Sequence, residues 1–213
     1  LQEKISVLPV FVDLERFRNP LQKKDLHKEY PQFSFIILMV SRLEKEKNIP
    51  AAFRVFKRLL GRFPQAGMVV AGKGSEEHSL RRLAEHLGIK HHVIFEPWQD
   101  DLPSYYHTAD LFLSTSNYEG YGMTFVEATA SGTPIITTDV GIAPELFKGH
   151  ESFYICPVGD EGCLFRKLVE AMSDSAFRMN FHQNIRTSLG KFVLSSEEEY
   201  SKKIIELWER CLA

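Results

Sequence analysis

Short runs of apolar residues alternate along the chain with longer stretches in which apolar side chains recur every three or four positions. Phe35 to Val40 is a continuous apolar run of strand length and predicts a strand buried on both faces. Ala51 to Leu60 follows with Phe53, Phe56, Leu59 and Leu60 at helical spacing, and Gly61 and Pro64 end it. Met68 to Ala71 predicts the next strand. Glu76 to Leu87 predicts the next helix, on the stripe Leu80, Leu83, Ala84 and Leu87, with Gly88 placed to stop it. Val93 to Phe95, Leu111 to Leu113 and Ile135 to Thr137 predict further strands, with helices near Asp101 to His107 and Met123 to Ser131 between them. Alternation of this kind is the mark of a mostly parallel α/β sheet with helices packed on it.

The flanks are less regular. Ile5 to Val12 predicts one more strand, and Lys23, Lys24, His27 and Lys28 a solvated connecting segment. Phe153 to Cys156 predicts a last strand, and Gly159 to Gly190 two helices broken near Ser173-Asp174-Ser175. The chain closes on a helix over 196–213, capped by Ser195 or Ser196, with Glu197 to Glu199 at the favourable end of its dipole.

Composition narrows the function classes. The 213 residues are 44% hydrophobic and 25% charged, enough to bury roughly 70% of the unfolded surface as one domain. A formal net charge of -2 from well-mixed residues excludes a field that gathers nucleic acid, so any anion is held locally. Cys156, Cys163 and Cys211 are odd in number without a CxxC pair, which predicts reduced core residues rather than a disulfide framework or a zinc site. The histidines show no metal-ligand spacing, so no metal is expected. No apolar run spans a bilayer and no signal peptide is evident, so a cytoplasmic location is expected.

In an open parallel sheet, ligands bind outside the carboxyl ends of the strands. Arg42 and Lys47 follow the Phe35 to Val40 strand, where two cations could clamp a diphosphate and offset the charge of a leaving group. Either could equally be solvated surface. Gly72 and Gly74, in Ala-Gly-Lys-Gly-Ser after the next strand, allow close backbone approach, although this turn is not GxGxxG. The richest segment is Ser116 to Ala128, in which Gly120, Tyr121 and Gly122 lead straight into a helix. Its free N–H groups around Gly122, Met123 and Thr124 suit an anion. Glu127 lies on that helix among apolar neighbours, where a carboxylate needs hydrogen-bond partners; vicinal ribose hydroxyls would supply two, or the side chain faces solvent or caps a turn. Glu119, eight positions earlier in the loop, suits sugar hydroxyls. Asp139, Gly141 and Ala143-Pro144-Glu145 complete the rim, or form an ordinary turn before a short helix.

Ser-Arg-Leu-Glu-Lys-Glu-Lys, Ala-Gly-Lys-Gly and Tyr-Glu-Gly-Tyr-Gly-Met-Thr-Phe-Val-Glu-Ala-Thr-Ala-Ser-Gly-Thr-Pro-Ile together resemble the C-terminal domain of family 4 retaining glycosyltransferases of the GT-B fold. The resemblance implies a single Rossmann-like, doubly wound domain over 1–213, the C-terminal half of a GT-B architecture. Residues 1–30 would form the connection and first strand. It implies that Arg42, Lys47 and Glu119 are catalytic, and that Gly72, Gly74, Trp98, Gly120, Tyr121, Gly122, Met123, Thr124 and Glu127 bind the donor. Glu119 would contact the transferred sugar and Glu127 the ribose. It further implies a UDP-, GDP- or ADP-linked sugar as donor, no cofactor and no metal. The glycan or lipid-linked acceptor would reach the site through an N-terminal domain absent from this chain, so the fragment alone would be inactive and the whole protein could sit peripherally at a membrane.

Several positions depart from the family pattern: Val10-Phe11-Val12-Asp13 replaces Asn-Gly-Val-Asp, Ser41 and Asn48 replace glycines beside the phosphate cations, and Pro97 precedes Trp98. In the terminal helix Tyr200, Ile204, Ile205, Trp208 and Leu212 make an apolar stripe that either crosses toward the other domain or packs on its own. Two other readings fit this fold: a non-hydrolysing sugar-nucleotide epimerase and a non-catalytic nucleotide-sugar-binding subunit.

Overall fold

The computed structural model describes residues 8, 10–21, 23–177, 181, 189, 193–194 and 196–212, with the side chains at 152, 153, 211 and 212 left out. Six strands form one sheet: β2 (Phe35–Val40), β3 (Ala66–Ala71), β4 (Val93–Glu96), β5 (Leu111–Leu113), β6 (Ile135–Thr138) and β7 (Ile155–Cys156). Their spatial order is β4-β3-β2-β5-β6-β7, and every neighbouring pair is parallel. A separate parallel pair joins β1 (Val10–Phe11) to β8 (Val193–Leu194).

This is the doubly wound dinucleotide-fold order. The chain winds outward from β2 to β4, then returns to the other side of β2 and winds outward again from β5 to β7. The direction reverses between β2 and β5, the place outside the carboxyl ends of the strands where open sheets of this kind take their ligands. Every residue of β2 and β3 is buried, as unbroken apolar runs require of strands covered on both faces.

The main helices follow their stripes. α3 (Ile49–Leu60) has Pro50 in its first turn and buries Ile49, Ala52, Phe53, Phe56 and Leu59. Each buried phenylalanine contributes about 1.5–3 kcal/mol through the apolar area removed from water. α4 (Glu77–His86), α5 (Leu102–Thr108) and α6 (Met123–Ser131) lie within a residue or two of expectation. α7 (Ala143–Leu146) is a single turn, and α9 (Glu161–Ser173) is capped by Asp160, whose carboxylate accepts from Cys163 N at 2.8 Å. α9 ends at Ser173 with Asp174 as its C-cap, where the break was expected, and most of the second helix predicted up to Gly190 lies outside the described residues.

The flanks correct several expectations. The segment after β1 is not merely solvated. Asp13 and Asp25 cap two short helices, α1 (Leu14–Arg18) and α2 (Leu26–Glu29), which bury Leu14, Phe17 and Leu26. Lys24 Nζ lies 2.8 Å from Glu96 and 2.6 Å from the Tyr105 hydroxyl, and Tyr30 also donates to Glu96. Burial opposes the Lys24 charge, but the bonds to Glu96, Tyr105 and Glu29 outweigh it and raise the ammonium above the ordinary lysine range. His27 Nε2 lies 2.9 Å from Asp110. Glu29 apart, these partners come from β4, α5 and the residue just before β5, so no local pattern announces them. Of the strand expected over Ile5 to Val12, Leu8 and Val10 to Val12 are described, and only Val10–Phe11 is strand.

Phe153 to Cys156 is not one strand either: α8 (Glu151–Tyr154) turns helically before β7 begins at Ile155. Cys156, at the end of β7, and Cys163, in the first turn of α9, are joined as a disulfide, against the expectation of reduced thiols. The β7–α9 turn folds the two positions onto each other, which spacing alone does not reveal. Cys211 lies outside the described side chains.

α10 (Glu197–Leu212) is capped by Ser196, whose Oγ accepts from Glu199 N at 3.1 Å; Ser195 lies outside the described residues. Tyr200 lies against Phe11, with ring centroids 6.2 Å apart, whereas Ile205 and Trp208 face solvent. Leu212 falls outside the described side chains. No helix among the described residues is long and apolar enough to cross a membrane.

Candidate nucleotide-sugar site

Two loops meet where the winding of the sheet reverses. After β2 the chain reaches a 3-10 turn, Lys45–Lys47, that ends at Asn48 with φ 45°, the one described non-glycine residue in the left-handed region. Asparagine tolerates this backbone better than most residues, which accounts for its standing where the family pattern has glycine. From the other side comes the loop after β5. Thr115 Oγ1 donates toward Lys47 O at 3.1 Å and Asn48 O at 3.0 Å, Asn117 N donates to Glu46 O at 2.7 Å, and Asn48 Nδ2 donates to Asn117 Oδ1 at 3.1 Å.

This stitching brings Lys47 and Glu119 together. Lys47 Nζ lies 2.8 Å from Glu119 Oε2, and Ser116 Oγ donates to Oε1 at 2.8 Å. The two side chains are only 12% and 14% exposed. Arg42 is not drawn in. It is 72% exposed and pairs with Glu46 at 3.1 Å, so the two expected phosphate cations do not converge.

α6 starts at the same place. Gly122, at φ 100°, is its N-cap, no side chain caps the first turn, and that turn carries no acidic residue. Uncapped N–H groups and the positive end of the helix dipole together suit an anion. The neighbouring glycines differ in purpose. A side chain on Gly141 would strike Tyr121 O, and Ile142 N donates to that oxygen at 2.8 Å, so the loop after β6 rests on the loop after β5. Gly120 is exposed, has nothing within 4 Å of where its Cβ would sit and no positive φ, so the fold itself does not demand glycine there.

Gly72 and Gly74 are also explained, though not by a ligand. Side chains there would strike the carbonyl oxygens of Ser41 and Leu43. Leu43 N donates to Lys73 O at 2.9 Å, and Glu44 accepts from Ser75 N at 3.0 Å and Ser75 Oγ at 2.6 Å. The close backbone approach expected at this turn is made by the chain's own β2 loop.

Glu127 neither faces solvent nor caps a turn. Its Oε2 accepts from the Tyr106 hydroxyl at 2.9 Å, and burial pushes its carboxyl above the ordinary carboxylate range, partly offset by that bond and by the Arg16 charge. Arg16 also donates to Asp100 O, which ties Glu127's surroundings to the loop after β4. That loop is well held: Gln99 Nε2 donates to Glu96 at 3.3 Å, and Asp101 accepts from Ser104 Oγ at 2.5 Å. Trp98 stands out from it, 59% exposed.

Tyr106, Arg16 and Ser116 stand beside the candidate residues Glu127 and Glu119 without having been singled out in the sequence. Tyr106 lies in the helix expected near Asp101 to His107 and Arg16 in the connection expected over 1–30, and no motif marks either. Among the described residues, no group of three or more His, Cys, Asp or Glu side chains is placed to hold a metal ion.

The family model described as Glycosyl transferases group 1 matches residues 22–188. The chain belongs to this family. Among curated relatives, this group 1 chain is 27% identical over 201 residues to an N-acetyl-alpha-D-glucosaminyl L-malate synthase of Bacillus anthracis, covering 93% of the chain and 51% of the relative. The group 1 chain thus spans about half the length of that curated relative. Among solved structures, Anabaena HepE in complex with UDP-glucose superposes with a TM-score of 0.81 at 19% identity, over 94% of this chain and 56% of that one. The C-terminal domain of the group 1 protein LpcC from Francisella tularensis matches with a TM-score of 0.72 at 24% identity, over 84% and 97% respectively. The fold of this group 1 chain is that of the Rossmann-like C-terminal domain of GT-B glycosyltransferases.

Proposed function

We propose that this chain is the donor-binding half of a retaining hexosyltransferase that moves a sugar from a nucleotide diphosphate to a hydroxyl acceptor. The observation that carries this reading is the Lys47–Glu119 contact beside the uncapped start of α6, at the winding reversal where this fold takes ligands. The donor diphosphate would lie across the first turn of α6. Lys47, with three N–H donors, would serve a phosphate oxygen while still holding Glu119, and Arg42 would swing from Glu46 to share the charge. Glu119 would accept from hydroxyls of the transferred sugar, Glu127 from the ribose, and Trp98 would stack on the base. Gly120 would leave room for the sugar.

Retention follows in a front-face route. The bond between the anomeric carbon and the phosphate oxygen breaks, the acceptor oxygen bonds to the same face, and the leaving phosphate takes the acceptor's proton. Cations and helix dipole would offset the negative charge on the departing diphosphate without a metal. The acceptor would enter from the second domain, so this chain alone would bind donor without turning it over, in the cytoplasm or at a membrane surface in the whole protein. Structural kinship with a UDP-glucose-bound protein supports a nucleotide sugar as donor.

Calorimetry with UDP, GDP and ADP tests the reading. One of them should bind the wild type, and Lys47→Ala should weaken it by about 1.5–3 kcal/mol, as expected for hydrogen bonds to a charged group. No binding, or an unchanged affinity, would remove this place from the donor site. Sugar transfer by this chain alone would instead overturn the divided-cleft part.

A further inference from the structure

Glu127 and Tyr106 form a polar pair that packing does not call for. Tyr106 is wholly buried between Phe17 and Phe112, with ring centroids at 6.0 and 5.6 Å, and its carbonyl accepts from Thr133 Oγ1 at 2.7 Å. Phenylalanine would fill that space equally well. Among the described residues the hydroxyl has one hydrogen-bond partner, Glu127 Oε2, and Glu127 has one hydrogen-bond partner, Tyr106. A carboxylate set among apolar neighbours costs free energy, and replacing such a pair by apolar groups of like shape is often neutral or stabilising. The pair therefore reads as a device for holding one carboxylate in one attitude.

We infer that Tyr106 is a positioning residue: by holding Glu127 Oε2 it fixes the carboxylate so that the chain discriminates ribose from 2′-deoxyribose in its nucleotide. The inference rests on the reading of Glu127 as the ribose grip. Aromatic neighbours pack against the ring and Thr133 bonds to the backbone, which restrains where the phenol can sit. With Oε2 occupied by Tyr106, Oε1 keeps its lone pairs and a set direction. A vicinal diol offers two donors at fixed separation and rewards a carboxylate that does not rotate; a 2′-deoxy sugar offers one. Tyr106 acts through Glu127 and touches no ligand itself.

The test is a set of calorimetric affinities for the nucleoside diphosphate that binds, chosen from UDP, GDP and ADP, and for its 2′-deoxy counterpart. The wild type should prefer the ribonucleotide about tenfold or more, the size expected of a hydrogen bond to a charged group. Tyr106→Phe should shrink that preference several-fold while moving the deoxynucleotide affinity less than twofold. Glu127→Ala should abolish the preference, and Tyr106→Phe added to it should change nothing more. Glu127→Asp, which keeps the charge but withdraws the carboxylate from the phenol, gives an independent check and should also lose the preference. If Glu127→Ala erases the preference but Tyr106→Phe and Glu127→Asp retain it, the positioning role fails and the ribose grip stands. If Glu127→Ala retains the preference, the ribose grip itself fails and the inference falls with it.

Discussion

Lys47 Nζ and Glu119 Oε2 lie 2.8 Å apart, joining the loop after β2 to the loop after β5 across the point where the sheet reverses its winding. Each charge is largely buried and answers the other. Removing one leaves the other without its partner in a partly dry place, so the pair has both a structural and a binding consequence.

Glu119→Gln separates the two. The amide still accepts from Lys47 and keeps the two loops joined, so affinity for the free nucleoside diphosphate should change less than about threefold. The additional affinity for the matching nucleotide sugar should fall by about 1 kcal/mol or more, because a neutral amide accepts more weakly from sugar hydroxyls than a carboxylate. Paired calorimetric titrations with nucleotide and nucleotide sugar check this; equal losses for both ligands would take Glu119 away from the sugar.

Arg42 makes the opposite contrast. Its pair with Glu46 is exposed, and exposed pairs contribute about 0–1 kcal/mol. Arg42→Ala should leave the unfolding midpoint nearly unchanged while weakening the nucleoside diphosphate roughly tenfold, an effect that shrinks at high salt. Urea unfolding beside calorimetry at two ionic strengths decides it. Full affinity in the variant would leave Arg42 as surface.

The glycines give a cleaner pair. Gly74→Ala drives a methyl into Leu43 O, so the two loops must part and the fold should lose about 1–3 kcal/mol. Gly120→Ala meets nothing within 4 Å and should stay within about 0.5 kcal/mol of wild type in stability, yet bind the nucleotide sugar less well. Chemical denaturation ranks the first effect and titration the second. A stable Gly74→Ala protein would show that the loop contact is not needed.

Glu127 makes stability depend on pH. Burial raises its carboxyl above the ordinary 4.5, so the folded state binds this proton more tightly than the unfolded chain does. That contribution is fully present below about pH 4.5 and is lost as pH rises through the raised folded value. Wild type should therefore lose stability relative to Glu127→Gln as pH climbs from 4.5 toward neutrality, with the two converging in acid. Denaturation curves at a series of pH values would show parallel profiles if Glu127 were solvated instead.

Much of this was legible along the chain because the core elements are long and periodic. β2 and β3 carry unbroken apolar runs and α3 and α4 clear stripes, and the alternation of strands with helices alone implies a parallel sheet with a ligand edge at its carboxyl ends. The Gly-rich entry to α6, the placement of Arg42, Lys47 and Glu119 on loops that follow strands, and that of Glu127 on the helix beyond were likewise local facts. Short elements were not legible: α1, α2 and α8, at four or five residues, hold too little periodicity to separate a helix from a turn.

Pairings between distant residues belong to the tertiary structure alone. Whether Lys24 was solvated depended on Glu96 and Tyr105, more than 70 positions away, and whether Arg42 joined Lys47 depended on where Glu46 and Glu119 came to rest. The disulfide between Cys156 and Cys163 depended on how a turn folds back, and the partner of Glu127 on α5 packing beside α6. Sequence by itself determined which residues could carry charge, bend or bury, because those are properties of single side chains and short periods. Only the fold decided which charges meet, because an ion pair or hydrogen bond exists only when packing brings its two atoms within about 3 Å of each other.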